Sequence, residues 1–129
     1  MTQMIKKPYD LEERTAQFGE GIIALCQRIK SSNIVNPIIN QIIRSGTSIG
    51  ANYMEANGAS SKKDFTNKIF ICKKECQETK HWLRMLAACK IEAIEGEIRR
   101  LWKEAQELNL IFQKIAVSSR KVNAERVSS

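Results

Sequence analysis

Residues 42–84 read IIRSGTSIGANYMEANGASSKKDFTNKIFICKKECQETKHWLR, and the rest of the chain is organised around them. The stretch predicts the back half of one helix, a turn with a left-handed cap at Asn57-Gly58, and a longer helix that begins at Ser61 and runs to about Cys89. Asp64 follows Ser61 at the spacing of a capping box. Apolar and small residues then recur at alternating intervals of four and three, the seam of a helix packed in a bundle. This seam comprises Phe65, Ile69, Cys72, Cys76, Thr79, Leu83 and Leu86.

Three other segments of the chain carry helix signals. Asp10 followed by Glu13 predicts the start of the first helix, which ends near Lys30. Asn36-Pro37 predicts an asparagine-capped second helix with proline in its first turn, and a tight connection around Ile91-Glu92 precedes the fourth. Because each helix has a seam and the connections are short, the sequence predicts an all-α, antiparallel up-down-up-down four-helix bundle.

The predicted domain occupies most of the 129 residues. Residues 1–9 are a lead-in, residues 10–117 the bundle, and residues 118–129 a basic tail that lacks periodicity and is expected to be flexible. No signal peptide or membrane span is recognised, so a cytoplasmic protein with reduced thiols is expected.

Two glycines interrupt the second helix one turn apart, at Gly46 and Gly50. Glycine inside a helix costs about 1 kcal/mol relative to alanine, so the pair predicts a close approach by another backbone.

Catalytic and metal-binding patterns are weak. His81 is the one histidine, and its sequence neighbours do not supply a nucleophile, a base and an orienting group. Cys72 and Cys76 fall on the core seam, where a free cysteine behaves as a small hydrophobe. The sequence therefore predicts a protein that is not an enzyme and has no metal or other cofactor.

A basic stripe on the third helix is the stronger functional signal. Residues 62–90 contain eight Lys or Arg and three acids, which gives +5 of the chain's net +7. The candidate phosphate-binding side chains are Lys63, Lys73, Lys74, Lys80 and Arg84. A polyanion would relieve their mutual repulsion and release counterions, and such lysine-rich contact implies backbone binding, not base reading. The alternative is a solvated helix face without a ligand.

Two further groups are candidates for subunit contacts or for fixing the register between helices. The polar row on the second helix consists of Arg44, Ser48, Asn52 and Glu55. Four apolar residues lie off the seam of the third helix: Phe70, Ile71, Trp82 and Met85. A second apolar stripe predicts burial against another subunit, and a wide core-facing stripe explains part of it.

Several motifs in these helices carry a family resemblance. They are Arg44-Ser-Gly-Thr-Ser48-Ile49, Asn52, Glu55-Ala56, Ser61-Lys-Lys-Asp64-Phe65, Lys74-Glu75, Glu78-Thr79 and Trp82-Leu83. The chain resembles, over roughly residues 8–117, bacterial four-helix bundle proteins encoded in intervening sequences of 23S ribosomal RNA genes. It is also similar to the accessory variability proteins of diversity-generating retroelements. The resemblance implies a homopentameric ring, nucleic-acid binding and a reverse transcriptase partner.

Two functional hypotheses follow. The first is a non-enzymatic, oligomeric nucleic-acid-binding accessory protein, with RNA or DNA gripped through phosphate contacts. The second is a protein–protein interaction scaffold with no nucleic-acid role, for which the off-seam apolar residues argue.

Overall fold

A computed structural model describes the backbone of residues 10–128 and the side chains of residues 10–121. Over that backbone the chain forms four α-helices and a short 3-10 helix, without a strand. The helices are α1 (Leu11–Gln27), α2 (Val35–Asn57), α3 (Lys62–Ala87) and α4 (Glu95–Ser128), and the 3-10 helix Glu92–Ile94 precedes α4. The all-α four-helix bundle predicted from the sequence is confirmed, while the lead-in, residues 1–9, lies outside the described residues.

The helix starts follow the capping rules, with one correction. The Asp10 carboxylate accepts a hydrogen bond from the Glu13 N–H at 3.1 Å, and the Ser61 hydroxyl accepts one from the Asp64 N–H at 3.0 Å, as predicted. However, α2 begins at Val35 and Asn36 does not cap it. The Ser32 hydroxyl, which stands three residues before Val35, accepts a hydrogen bond from the Val35 N–H at 3.0 Å.

The predicted left-handed cap at Gly58 is also wrong. Gly58 has φ −95°, and its N–H reaches the Met54 and Glu55 carbonyls at 3.2 Å. The next N–H, that of Ala59, bonds to the Ala56 carbonyl, so ordinary turn geometry closes the helix without a positive φ. Between α3 and α4, by contrast, Lys90 adopts a left-handed φ of 58°.

The predicted seams form the core. Every member of the α3 seam except Phe65 is buried, and Phe65 packs against the cluster. The centre of the bundle contains Phe112 of α4, fully buried, with its ring centroid 5.8 Å from that of the half-buried Tyr53. α3 packs extensively on both α2 and α4, whereas α1 packs mainly on α2 and has few contacts with α4.

The glycine pair on α2 lies against α1. A Cβ on Gly46 would stand 2.8 Å from Cγ1 of Ile22, and one on Gly50 would stand 3.2 Å from Oγ1 of Thr15. The predicted close approach is therefore real, but the nearest atoms are side-chain atoms rather than backbone. Ile22 and Thr15 are both buried, so neither has free space to yield.

We expect Gly46→Ala to lower the free energy of unfolding by about 1–2 kcal/mol, because overpacking costs more than the improved helix propensity returns. Gly96→Ala is the matched control, since a Cβ there meets no atom closer than 4.0 Å. That control should gain up to about 1 kcal/mol. Urea denaturation at one fixed protein concentration measures both variants. If both were stabilised equally, the α1–α2 contact would be looser than described.

The fourth helix does not end at Val117, the last residue of the predicted bundle, but continues to Ser128. Two side-chain contacts with α3 stabilise the first turn of α4 after Val117. The Ser119 hydroxyl hydrogen-bonds with that of Thr66, and the Arg120 guanidinium lies 4.7 Å from the centre of the Phe70 ring. Residues 122–129 lie outside the described side chains.

Candidate nucleic-acid interface on α3 and α4

One flank of α3 pairs its charges with α2. Arg44 on α2 reaches the carboxylates of Glu75 at 3.2 Å and Glu78 at 2.6 Å. Lys68 on α3 pairs with Glu55 on α2 at 2.7 Å. Such partly exposed ion pairs contribute little to stability, but they neutralise the carboxylates on this flank.

The other two members of the α2 polar row bond within their own helix. The Ser48 hydroxyl donates to the Arg44 carbonyl, and Nδ2 of Asn52 donates to the Ser48 carbonyl at 2.9 Å. Arg44 and Glu55, at the ends of the row, thus contact α3. Ser48 and Asn52, between them, donate hydrogen bonds to backbone carbonyls of α2.

The opposite flank of α3 faces α4. Nζ of Lys80 donates a hydrogen bond to Oε1 of Gln106 and lies 4.8 Å from the centre of the Trp102 ring. Further along, Arg120 of α4 covers the Phe70 ring of α3. These contacts set the basic stripe of α3 beside one particular row of α4.

That row of α4 repeats at intervals of three and four, so its members share one side of the helix. It comprises Arg99, Trp102, Gln106, Leu110, Gln113, Val117 and Arg120. Trp102 is 38% exposed, Leu110 54% and Val117 53%, so apolar surface is open to solvent within the row.

We define the α3–α4 basic face as nine cations, five of the α3 stripe and four on the adjoining side of α4. They are Lys63, Lys73, Lys74, Lys80 and Arg84 of α3 and Arg99, Lys103, Arg120 and Lys121 of α4. Within the described residues, none of these nine forms an ion pair with a carboxylate. The α4 members were not predicted from the sequence, because they are spread along a helix and produce no local charge density.

The nine cations are not equally available. Lys63, Lys74 and Arg84 are exposed, and Lys73 is half-buried. Lys80 is half-buried too, and its ammonium already contacts Gln106 and Trp102. Lys80 therefore serves the α3–α4 packing as well as the charge of the face.

The predicted interface residues of α3 are all half-buried. Phe70 lies under Arg120, whereas Trp82 and Met85 line an open groove of about 890 Å³ at the other end of the helix. Ile34, in the α1–α2 connection, also lines this groove and is 75% exposed. Ile71 does not line this groove and takes no part in the contact between Phe70 and Arg120.

The remaining candidates for catalysis or metal binding are the histidine and two of the cysteines, all of which lie on α3. His81 is exposed, with its ring centroid 5.0 Å from that of Trp82. Cys72 and Cys76 are fully buried on the core seam, as predicted. No group of three or more His, Cys, Asp or Glu side chains suited to a metal ion occurs among the described residues.

Burial keeps the core thiols protonated. Desolvation raises the pKa of Cys26 to about 11 and that of Cys72 to about 12, and it raises the pKa of Cys76 as well.

Since the thiolate is the reactive form, we expect a thiol reagent at about pH 8 to modify half-buried Cys89 at least about 100-fold faster than Cys72 or Cys76. Mass spectrometry after timed labelling measures the rates, and equal rates in the native protein would contradict the described core. Denaturant should make all four thiols react.

Within residues 10–128, no helix combines the length and the apolar character that a membrane crossing needs.

The fold and the site define a small helical-bundle protein with one strongly basic face. The chain belongs to the 23S rRNA-intervening sequence protein family, whose profile matches residues 9–114. A solved relative is a protein of unknown function from the S23 ribosomal protein family of Bacteroides thetaiotaomicron VPI-5482. It is 32% identical, with a TM-score of 0.71 over 82% of this chain and 97% of the relative. The comparison with curated proteins gave no match.

Proposed function

We propose that this protein is a non-enzymatic, oligomeric accessory protein that binds RNA or DNA through the α3–α4 basic face. The observation that carries the proposal is the separation of charge around α3. Glu75 and Glu78 pair with Arg44 toward α2, whereas the nine cations of the basic face have no carboxylate partner among the described side chains.

The linked phosphate groups of a nucleic acid fit this arrangement better than a single small anion does. Like charges held at helical spacing repel one another, and a polyanion lying along both rows relieves several repulsions at once. It also releases the counterions condensed on the nucleic acid, which favours binding at low salt. Contacts of this kind position a strand without reading its bases.

The subunits are proposed to be antiparallel bundles that form a homopentameric ring. The order of contacts between α2 and α3 supports the antiparallel arrangement: Glu55 contacts Lys68, whereas Ser45, earlier in α2, contacts Thr79, later in α3. The half-buried Trp82 and Met85 and the exposed Ile34 supply apolar surface for a subunit contact. The pentamer itself comes from the family resemblance, and a ring would repeat the basic face five times.

A reverse transcriptase is the protein partner that the resemblance implies, and a cytoplasmic location is proposed with it. The names of the matched family and of the solved relative refer to a ribosomal RNA gene and to a ribosomal protein family, not to a retroelement. Shared genomic context with a reverse transcriptase gene, followed by co-purification, tests this partner separately from nucleic-acid binding.

The second candidate function is a protein–protein scaffold, which the groove at Ile34, Trp82 and Met85 favours. Sedimentation of the purified chain distinguishes the occupants of the groove. A pentamer has a mass of about 74 kDa, five times the 14.7 kDa chain, and a monomer would leave the groove free for another protein.

Fluorescence anisotropy with a labelled RNA of about 20 nucleotides, and with the equivalent DNA duplex, tests the proposed function. We expect binding at low salt and a dissociation constant that rises steeply with salt concentration. Absence of binding to both nucleic acids at low salt would reject the proposal and leave the scaffold hypothesis.

A further inference from the structure

Three exposed apolar side chains lie among the cations of the α3–α4 basic face. They have no role in phosphate binding. Trp102, Leu110 and Val117 lie on one row of α4 and are 38%, 54% and 53% exposed. A surface built for phosphate contact alone has no need of them, and exposing them to water is unfavourable. They are arranged between cations, with Arg99 before them and Arg120 after them in the row.

We infer that the α3–α4 basic face prefers single-stranded nucleic acid and that Trp102 is a stacking platform for an unpaired base. This inference rests on the proposed function. A duplex presents its phosphates outward and keeps the faces of its bases inside the stack, so its backbone would be pressed against Leu110 and Val117. A single strand can place phosphates on the lysines and turn its bases onto the apolar side chains.

The geometry around Trp102 fits that role. Lys80 lies 4.8 Å from the centre of the indole ring and donates a hydrogen bond to Gln106, so the ring is held in place from the α3 side. With 38% of the residue still exposed, the indole keeps open surface for a base. The Lys80 ammonium lies over one face of the indole, so a base would stack on the part that remains exposed. An aromatic ring with a cation next to it combines stacking with charge attraction to the adjoining phosphate.

The dimensions also match a short strand. Trp102 and Val117 are separated by roughly 22 Å along α4 at 1.5 Å per residue. A stacked strand advances about 3.4 Å per nucleotide, so this length accommodates roughly six or seven nucleotides. That lies within the range of about 4–16 nucleotides that other single-strand-binding domains cover.

The test compares a labelled uridine oligomer of about ten nucleotides with an RNA duplex of about ten base pairs, by anisotropy at low salt. Trp102→Leu should weaken binding of the single strand by about 5- to 150-fold, the range that loss of one stacked base gives, and should change duplex binding less than about 2-fold. Trp102→Phe should recover part of the loss because it keeps an aromatic face. Met54→Ala, at a 60% exposed apolar residue of α2 outside both the face and the groove, is the control and should leave both affinities unchanged.

A second readout follows the indole itself. In a Trp82→Phe background Trp102 is the only tryptophan of the chain, and the oligomer should quench its fluorescence. Unchanged affinity of Trp102→Leu for the single strand would overturn the inference. So would an equal loss of duplex binding, which would indicate a structural effect, and so would a wild-type preference for the duplex. If neither nucleic acid bound the wild-type protein, the proposed function itself would fail.

Discussion

Reversing three charges of the α3–α4 basic face, with Lys63→Glu, Lys74→Glu and Arg84→Glu together, is expected to weaken RNA binding by about 100-fold at about 0.15 M salt. Each lost phosphate contact removes a few-fold of affinity through counterion release, and each new carboxylate adds repulsion. Competition anisotropy with a labelled RNA of about 20 nucleotides measures the change. The three positions are exposed and make no described ion pair, so the fold should tolerate the substitutions.

Lys80 is left intact in this variant because it contacts Gln106 and Trp102, and its reversal would disturb the packing of α3 on α4.

The matched control reverses Lys30, Lys90 and Lys114, which are exposed, lie outside the face and make no described side-chain ion pair. Arg28 is left intact because its guanidinium donates a hydrogen bond to the Ala93 carbonyl at 2.9 Å.

Both triple variants carry a net charge of +1, six charges below the +7 of the natural chain. If the control lost as much affinity as the test variant, overall charge and not the α3–α4 basic face would govern binding. Circular dichroism melting of both variants verifies that they are folded.

Phe112→Ala is expected to lower the free energy of unfolding by about 3–5 kcal/mol, the usual cost of a cavity left by a buried aromatic ring. Phe112 is fully buried and its ring contacts that of Tyr53, so the space cannot be filled by a small shift of one side chain. A domain of this size is stabilised by about 5–15 kcal/mol in total, so the variant should lose a large share of its stability. Urea denaturation at fixed protein concentration measures it.

Leu110→Ala is the control on the same helix. Leu110 is 54% exposed, and its truncation should change stability by less than about 0.5 kcal/mol. A small loss at Phe112 combined with a large loss at Leu110 would mean that α4 presents a different side to the core.

The helix seams could be predicted from the sequence because burial imposes a period that local composition reveals. The residues from Ile69 to Leu86 on the α3 seam are buried as the spacing requires, and the side-chain caps at Asp10 and Ser61 form as predicted. The predictions that failed concern helix ends, where several local solutions are close in energy. Asn36 does not cap α2; the Ser32 hydroxyl accepts the hydrogen bond of the Val35 N–H instead. Gly58 closes its helix without a positive φ.

Only the α3 part of the candidate site could be predicted from the sequence. The cations of α3 are clustered along the chain, so their charge density is apparent, but those of α4 form a row only when they are placed on a helix. The contact between Lys80 and Trp102, which joins the two rows, depends on tertiary packing. No local pattern predicts it. The same packing decides that Arg44 and Glu55 bond to α3, because pairing between helices depends on their relative position.

The salt dependence of binding, compared between the natural chain and the Lys63→Glu, Lys74→Glu, Arg84→Glu variant, tests the central claim most directly. For a single strand the logarithm of the affinity falls with the logarithm of salt concentration at a slope of about 0.7 per phosphate contact. If these three side chains contact phosphates, the slope should decrease by about 2 in the variant. An unchanged slope would contradict the claim, because the affinity of the natural chain would then come from contacts elsewhere.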